Sequence, residues 1–322
     1  MKTKPLSIAK HVSLWRGIKG KEWTFAFLSL CILLSACEPK PNVVPKPQPP
    51  PKDKQGIIFL GHTYRGANRE KVDERIEELN RECYEYIWLG GDVCAETTEK
   101  RETLDYLDDL FDLSSPNTLW TYGNHDIRNG NHDWLREVTG RELHYVQNYP
   151  GMTVLVTNTN YKGDTECDQW LDQFDMIQNV CDTISQATHL FVLSHHVTWS
   201  DVEPGMNAQT AGNAGASWLP YKCAPLTQFR FVVYPLLQQV QARGVQVVVI
   251  AGDGGQRDKF YQHQTTDGIW FLASGINNST ERDPDKRALL PKDKILYLDY
   301  EVESGLLDWQ FLDLDSLLLT QE

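Results

Sequence analysis

Residues 119–126 read Leu-Trp-Thr-Tyr-Gly-Asn-His-Asp, and this stretch decides how the rest of the chain is interpreted. Its apolar first half is typical of a short buried strand, after which Gly123 allows the backbone to turn sharply. The amide oxygen of Asn124 is a neutral donor that a metal ion accepts, and His125 can give a proton to a leaving group. The alternative is a plain turn, because glycine and asparagine are common turn residues.

Two further apolar runs end in the same way. Residues 86–92 read Tyr-Ile-Trp-Leu-Gly-Gly-Asp, and residues 190–196 read Leu-Phe-Val-Leu-Ser-His-His. The carboxyl ends of the strands in an α/β sheet lie along one edge, where functional groups gather. The sequence therefore predicts that Asp92, Asn124 and His195 share one metal-binding site.

The order of apolar and amphipathic segments predicts an α/β fold with a parallel sheet. Helices are expected at 68–82, 97–113, 165–183 and 231–242. Strands are expected at 56–61, 86–90, 119–122, 152–158, 190–194 and 245–251, and those at 268–274, 294–300 and 308–313 are expected to close a second sheet. Residues 201–227 are rich in Gly, Pro, Asn and Ala, which favours a long functional loop beside the site.

The N-terminus has the pattern of an export signal. Residues 1–36 place a basic region before an apolar core of about ten residues, which is short for a membrane span. Residues 34–37 read Leu-Ser-Ala-Cys, which resembles the cleavage site of bacterial lipoproteins. The resemblance implies that Cys37 carries lipid such as palmitate and becomes the first mature residue. A signal anchor with an incidental cysteine is the alternative.

A proline-rich segment follows the lipoprotein pattern. Residues 38–55 hold seven prolines and four lysines, which predicts an extended tether of roughly 50 Å in polyproline II conformation. The absence of aspartate at position 38 favours outer-membrane sorting, by resemblance to enteric bacteria. We therefore expect a lipid-anchored protein of the bacterial cell envelope with a signal peptide at 1–36, the lipidated Cys37 and tether at 37–55, and one globular domain at 56–322.

The net charge and the cysteine content limit the kinds of partner and metal site that are expected. The net charge is −13, and the first 36 residues contribute about +5, so the remainder carries about −18. Such an acidic surface argues against nucleic acid or anionic lipid as a main partner. Beyond Cys31 and Cys37 the chain has five cysteines, so at least one is unpaired within the chain, and none is spaced as a thiolate zinc site.

Taken together, the motifs resemble those of the calcineurin-like metallophosphoesterases over nearly all of residues 56–313. Gly91-Asp92 matches that family's Gly-Asp, residues 123–126 match its Gly-Asn-His-Asp, and Ser194-His195 matches its ligand histidine after a strand. Gln-Trp-Leu at 169–171 is similar to the helix that precedes this strand. The resemblance implies a four-layer αββα sandwich, with two mixed β-sheets flanked by helices and metals at the carboxyl edge.

The chain departs from that family at two motifs. The family opens with Asp-x-His, where this chain has His-Thr-Tyr at 62–64, and it closes with Gly-His-x-His, where this chain has Gly-Asp-Gly-Gly at 252–255. The resemblance therefore implies one divalent ion (Mn, Zn, Fe or Mg) better than a pair. Its ligands would be Asp92, Asn124, His195 and Asp253. His62 or Tyr64 is the candidate for a further ligand.

The chemistry implied by the resemblance is metal-dependent hydrolysis of a phosphoric ester. His125 would protonate the leaving oxygen, and Asp126 would orient or support it as a second catalytic residue. His196 is expected to pack beside the ligands, and His132 of a second Gly-Asn-His-Asp copy at 130–133 to overhang the site. A phosphorylated small molecule, a lipid head group and a glycan phosphate stay open as substrates. The competing hypothesis is a degenerate relative that binds an envelope partner and catalyses nothing.

Overall fold

The computed structural model describes residues 54–161, 167–199, 202–206, 212–213 and 229–321. The predicted signal peptide, Cys37, nearly all of the tether and most of the loop expected at 201–227 lie outside these residues. Within the described part of the chain, no helix is long and apolar enough to cross a membrane.

The described strands form two mixed sheets. The first has the order β11-β10-β1-β2-β3 and the second β4-β5-β6-β7-β9-β8. The bounds in the first sheet are β1 Lys54–Leu60, β2 Tyr86–Leu89, β3 Thr118–Trp120, β10 Lys294–Glu301 and β11 Leu306–Asp313. Those in the second are β4 Tyr145–Tyr149, β5 Met152–Val156, β6 His189–Ser194, β7 Gln246–Ala251, β8 Phe260–Gln264 and β9 Trp270–Ser274.

Each sheet contains a run of neighbouring parallel strands. In the first sheet β1, β2 and β3 run parallel, and β10 and β11 add an antiparallel hairpin beside β1. In the second sheet β5, β6, β7 and β9 run parallel, with β4 and β8 antiparallel at the two edges. The carboxyl ends of the parallel strands therefore lie along one edge of each sheet.

Helices cover the outer faces of the two sheets. Their bounds are α1 Glu74–Glu78, α2 Arg101–Phe111, α3 Asn124–Ile127, α4 His132–Thr139, α5 Cys167–Thr183, α6 Phe229–Val232, α7 Tyr234–Ala242, α8 Pro284–Arg287 and α9 Leu314–Gln321. Short 3₁₀ turns span Arg81–Cys83 and Asn278–Thr280.

Three hydrophobic clusters define the layers. One cluster lies between the sheets and contains residues of both, such as Ile57 and Phe59 of β1 together with Val248 of β7. Alternate residues of the same strand, Ile58 and Leu60, pack outward against the helices over the first sheet. Because both faces of the strand are buried, it is apolar at every position from 57 to 60. The predicted α/β sandwich with two mixed sheets is confirmed.

The expected assignment of the last strands is wrong. Of the three strands predicted to close a second sheet, only β9 does so, whereas β10 and β11 complete the first sheet beside β1. An apolar pattern predicts a strand but not its partner. The helix expected at 68–82 is also shorter, because the Asp73 side chain accepts a hydrogen bond from the Arg75 amide and caps α1 there. The edge strands β4 and β8 were not predicted.

Candidate metal centre

The candidate site lies where the carboxyl ends of strands from both sheets meet. The loops after β1, β2, β3, β6 and β7 bring the residues of the site to this edge. The two sheets approach closely here, since a Cβ atom on Gly252 would lie 2.0 Å from the Gly90 carbonyl oxygen. Only glycine fits at such a contact, which explains the Gly-Gly-Asp and Gly-Asp sequences that end β2 and β7.

Asp92 lies at the centre of the candidate site. It follows β2 with a φ of 52°, and its side chain is 2% exposed. One carboxylate oxygen, Oδ1, accepts the backbone amide of His125 at 2.8 Å. The other, Oδ2, faces the Nε2 atoms of three histidines, with distances of 3.4 Å to His195, 3.8 Å to His62 and 3.9 Å to His125. The left-handed backbone of Asp92 is a strained conformation of the kind that functional sites retain.

The three histidines that face Asp92 have the same orientation. The Nδ1 atoms of His195 and His125 lie 2.8 Å and 3.0 Å from the carbonyl oxygens of Gly90 and Ala95, and Nδ1 of His62 lies 3.3 Å from that of Ile276. A carbonyl oxygen only accepts, so each Nδ1 carries a proton, and Nε2 is the ring atom that faces Asp92 in all three histidines. This is the tautomer that metal-binding histidines adopt when a backbone carbonyl holds the other nitrogen.

His195 has a buried nitrogen atom without a partner. Its side chain is fully buried, and within the described residues Nε2 makes no hydrogen bond. Burial alone would lower the pKa of His195, but the carboxylates of Asp92 and Asp253 and the Gly90 carbonyl outweigh it and raise the pKa to about 10. The space beside Nε2 therefore favours a cation, either a proton or a metal ion. The pKa of Asp92 is lowered, because the nearby histidines outweigh the opposing effect of its burial.

His196 and Asp253 also belong to the candidate site. Ligand atoms of His195, His196 and Asp253 all lie within 4.8 Å of one another, and the three residues are buried. Nε2 of His196 lies 3.1 Å from Oδ1 of Asn124. The buried group His195, His196 and Asp253 can hold a metal ion. The expectation that His196 only packs beside the ligands is corrected here, because its ring reaches the same space as His195.

The spacing of these atoms fits a shared ion. Ligands at about 2.1 Å from an ion lie about 3.0 Å apart at octahedral angles and about 3.4 Å apart at tetrahedral angles. The separations are 3.1 Å between His196 and Asn124, and 3.4 Å between His195 and Asp92. Imidazole nitrogens with carboxylate and amide oxygens suit Zn, Fe or Mn better than Ca. The donor set therefore fits the predicted divalent ion.

Asp126 has a different position from the one expected. Its carboxylate is fully buried, does not line the cleft and makes no hydrogen bond to the ring of His125. It accepts four hydrogen bonds, from the amides of Asp92 at 2.7 Å, Val93 at 3.0 Å and Gly123 at 2.8 Å and from the Thr97 hydroxyl at 2.7 Å. Burial and Asp92 raise the pKa of Asp126 to about 6, so it is still ionised at neutral pH. The expected catalytic part for Asp126 is therefore corrected to a positioning one: it joins the turns after β2 and β3.

An open cleft of about 410 Å³ lies over the group. Five predicted site residues line it, together with Tyr64. The Tyr64 ring stacks on His125 with centroids 4.9 Å apart and tilts against His62 at 4.6 Å. Burial and the neighbouring Asp92 raise the pKa of Tyr64, so its phenol keeps its proton. The predicted residues that line the cleft are His62, Asp92, Asn124, His125 and Asp253.

His196 was missed as a site residue, and His132, a candidate to overhang the site, does not do so. Side chains that alternate along a strand would place His195 and His196 on opposite faces, but β6 ends at Ser194, and after that point the alternation no longer applies. Tyr64 stands at a ligand position of the resembling family, and the sequence offers it, beside His62, as a further ligand. His132 contacts the Ile127 carbonyl oxygen at 3.3 Å and does not line the cleft.

Comparison with known proteins does not assign the chain to a family. No protein-family model matches the sequence, and no curated protein matches it closely enough to count as a relative.

Proposed function

We propose that this protein is a metal-dependent phosphoesterase with one divalent ion at the edge where its two sheets meet. The observation that carries the proposal is the fully buried Nε2 of His195, which has no hydrogen-bond partner among the described residues and faces Asp92 at 3.4 Å. A scaffold protein gains nothing from burying an unsatisfied nitrogen beside a carboxylate, because such an atom costs about 1–3 kcal/mol. A bound cation would remove this cost.

The ion would be held by His195, His196 and Asp253, with Asp92 and Asn124 beside them. A divalent ion supplies Lewis-acid polarisation of a phosphoryl oxygen and acidifies a water at neutral pH. The protein orients the histidines that would bind the ion. The Gly90 carbonyl fixes the tautomer of His195, and the Thr159 hydroxyl, 2.7 Å from Nδ1 of His196, holds the second ring in place.

His125 is the proposed proton donor to the leaving alcohol. Its Nδ1 is held by the Ala95 carbonyl oxygen at 3.0 Å, so Nε2 is the nitrogen that faces the cleft. Its backbone amide is held by Asp92, and its ring is supported by Tyr64. A positioned acid of this kind contributes about 10²–10⁴-fold to a reaction rate.

Loading the protein with metal tests this proposal. The purified protein, stripped with a chelator, would be loaded separately with Mn, Zn, Fe and Mg, and both bound metal and hydrolysis of 4-nitrophenyl phosphate would be measured. His195→Gln should lose metal and activity together. His189→Gln is a matched control, because His189 lies at the other end of the same strand, packed against Tyr300, and it should keep both.

The second candidate function is ligand binding without catalysis. His62 and Tyr64 stand where the resembling family has two metal ligands, and this difference favours a degenerate site. If the wild-type protein takes up no ion under any loading condition and hydrolyses no aryl phosphate, the catalytic proposal is wrong and the binding function replaces it.

We also propose that the domain acts at the bacterial cell envelope, held to a membrane through lipid on Cys37. Support for this comes from the Leu-Ser-Ala-Cys sequence at 34–37 and from the proline-rich segment after it. Replacing Cys37 by Ser should release the protein into the soluble envelope fraction. Retention of this variant in the membrane through an uncleaved leader would show that the lipoprotein assignment is wrong.

A further inference from the structure

Tyr64 has a fixed backbone at the mouth of the cleft. It forms an antiparallel bridge with Val72, and its carbonyl oxygen accepts the Ser279 hydroxyl at 2.9 Å. One contact from the following loop and one from a distant part of the chain therefore hold the residue in place. Its position over the site is built into the fold and does not depend on its side chain.

The side chain of Tyr64 lies between two histidines. Its ring is 4.6 Å from that of His62 and 4.9 Å from that of His125, and it lines the cleft together with Asp92 and Asn124. Within the described residues, the phenol oxygen makes no hydrogen bond. A hydroxyl group that is held over a metal-type cluster and has no partner is available to donate to a ligand.

The charge of the cleft limits the ligand. None of the described residues that line it is a lysine or an arginine. The nearby Arg128 is paired with the buried Glu96 at 3.6 Å, and Arg69 contacts the same carboxylate. The carboxylates of Asp92 and Asp253 offset the charge of one divalent ion. The proton that His125 must carry in order to donate it leaves about one positive charge at the centre. A phosphodiester, with a single negative charge, balances it, whereas a dianionic phosphomonoester brings a second charge that no described residue lining the cleft offsets.

We propose that Tyr64 donates a hydrogen bond to a non-bridging oxygen of the bound phosphoryl group, and that the cleft takes phosphodiesters in preference to phosphomonoesters. This inference rests on the proposed function and names the substrate class of the same site. In the reaction, the oxygen of water bonds to phosphorus and the P–O bond to one alcohol breaks. The leaving alcohol takes up a proton, so a diester and water give a monoester and an alcohol.

Two substrates with the same leaving group test the preference. With metal-loaded wild-type protein, kcat/KM for bis(4-nitrophenyl) phosphate should exceed that for 4-nitrophenyl phosphate by at least about tenfold. Tyr64→Phe should lower kcat for the diester by about tenfold to a hundredfold, since one donor to the developing charge is lost. Its metal content should stay unchanged. Faster hydrolysis of the monoester would overturn the substrate class.

The control and the remaining outcomes concern the role of the phenol. Tyr106→Phe removes a phenol that bonds to Glu77 at 2.7 Å outside the cleft, and it should leave kcat for the diester unchanged. An equal rate in Tyr64→Phe and the wild-type protein would overturn the hydrogen bond. Loss of metal in Tyr64→Phe would also overturn it, because Tyr64 would then be a ligand of the ion.

A binding experiment tests this inference independently of hydrolysis. Calorimetry of the metal-loaded protein with diethyl phosphate and with inorganic phosphate reports the contact even where hydrolysis fails. Diethyl phosphate should bind more tightly than inorganic phosphate, and Tyr64→Phe should weaken it about tenfold, the worth of one hydrogen bond of about 1.4 kcal/mol. Tighter binding of inorganic phosphate, or equal affinities in wild type and variant, would overturn the inference whatever becomes of the catalytic proposal.

Discussion

The tetrapeptide Gly-Asn-His-Asp occurs twice, at 123–126 and at 130–133, and the two copies differ in almost every contact. The first copy follows β3 and forms the turn into α3. The second runs from the turn after α3 into the first residues of α4, and Asn131, which precedes that helix, is in the left-handed conformation with a φ of 56°. Identical residues therefore meet different surroundings only seven positions apart.

The contacts of the two acids and the two histidines show the difference most clearly. Asp126 is fully buried, whereas the Asp133 side chain is 89% exposed and pairs with Arg136. His125 faces Asp92 in the cleft, whereas His132 contacts the carbonyl of its own turn. At the sheet edge the side chains of the first copy meet buried backbone amides and neighbouring loops, whereas the side chains of the second copy on the surface are open to water. The position after a strand, more than the four residues themselves, makes the first copy a candidate site.

The largest contrast is expected between the two histidines. His125→Ala should lower hydrolysis of an alkyl phosphate ester by about 10²–10⁴-fold with metal content intact, because a positioned proton donor is lost. His132→Ala should leave the rate unchanged. The measurements are kcat for each variant and elemental analysis of each protein.

The effect of His125→Ala should also depend on the leaving group. An aryl alcohol with a low pKa hardly needs a proton, so the loss should shrink for such substrates. Equal losses for alkyl and aryl substrates would show that His125 does not act as the acid. An equal effect of the two alanine variants would show that the two copies of the tetrapeptide do not differ in function.

The two acids should differ next in stability. Asp126→Ala leaves three backbone amides and the Thr97 hydroxyl without their acceptor in the interior, so the free energy of unfolding should fall by about 3–5 kcal/mol. Asp133→Ala removes an exposed ion pair and should leave it nearly unchanged. Urea unfolding monitored by circular dichroism gives both values. A loss below about 1 kcal/mol for Asp126→Ala would mean that water replaces the carboxylate.

The strands could be predicted from the sequence because their physical cause is local. Strands buried on both faces are apolar at every position, so β2, β6 and β7 were placed to within a few residues. Sheet membership could not be predicted in the same way. The hairpin β10–β11 returns to β1 through long-range pairing, and nothing in its alternating pattern names that partner.

The candidate site was predictable where a residue's type and its place after a strand agree. Asp92, Asn124, His125 and Asp253 meet both conditions, and all four line one cleft. His196 and Asp126 were misjudged for opposite reasons. A histidine beside a ligand usually packs, and an acid beside a histidine usually supports it. Here the chain turns after β6, so that the ring of His196 contacts Asn124, and the Asp126 carboxylate accepts backbone amides of the turn after β2.

The two glycines should differ more modestly. A Cβ atom on Gly123 would lie 2.1 Å from Oδ1 and 2.4 Å from the backbone nitrogen of Asp92. Gly123→Ala should therefore lower the free energy of unfolding by about 2–3 kcal/mol and shift the metal group. A Cβ atom on Gly130, at a φ of 75°, would meet no described atom within 4 Å beyond its chain neighbours, so Gly130→Ala should cost about 1 kcal/mol of backbone strain only. Thermal unfolding with and without metal distinguishes them: a response of metal binding to Gly130→Ala would contradict the comparison.

The smallest contrast concerns the two asparagines, and it bears most directly on the ion. Oδ1 of Asn124 lies 3.1 Å from Nε2 of His196, whereas Nδ2 of Asn131 donates to the Thr98 carbonyl oxygen at 2.9 Å. Asn124→Ala should weaken metal affinity about tenfold, because a neutral oxygen next to the group is lost. Asn131→Ala should leave affinity unchanged and reduce only stability, since it removes one surface hydrogen bond. Competition with a fluorescent chelator measures both affinities.

Asn124→Asp sharpens this last test. An added anionic oxygen should raise metal affinity if position 124 is a ligand, because its attraction to a divalent ion exceeds that of an amide oxygen. If position 124 serves only to orient His196 through the 3.1 Å contact, the carboxylate would still accept from that ring and affinity would stay as in the wild-type protein. Unchanged affinity in both Asn124 variants would remove Asn124 from the ligands and leave His125 as the only residue of the first tetrapeptide that takes part in the chemistry.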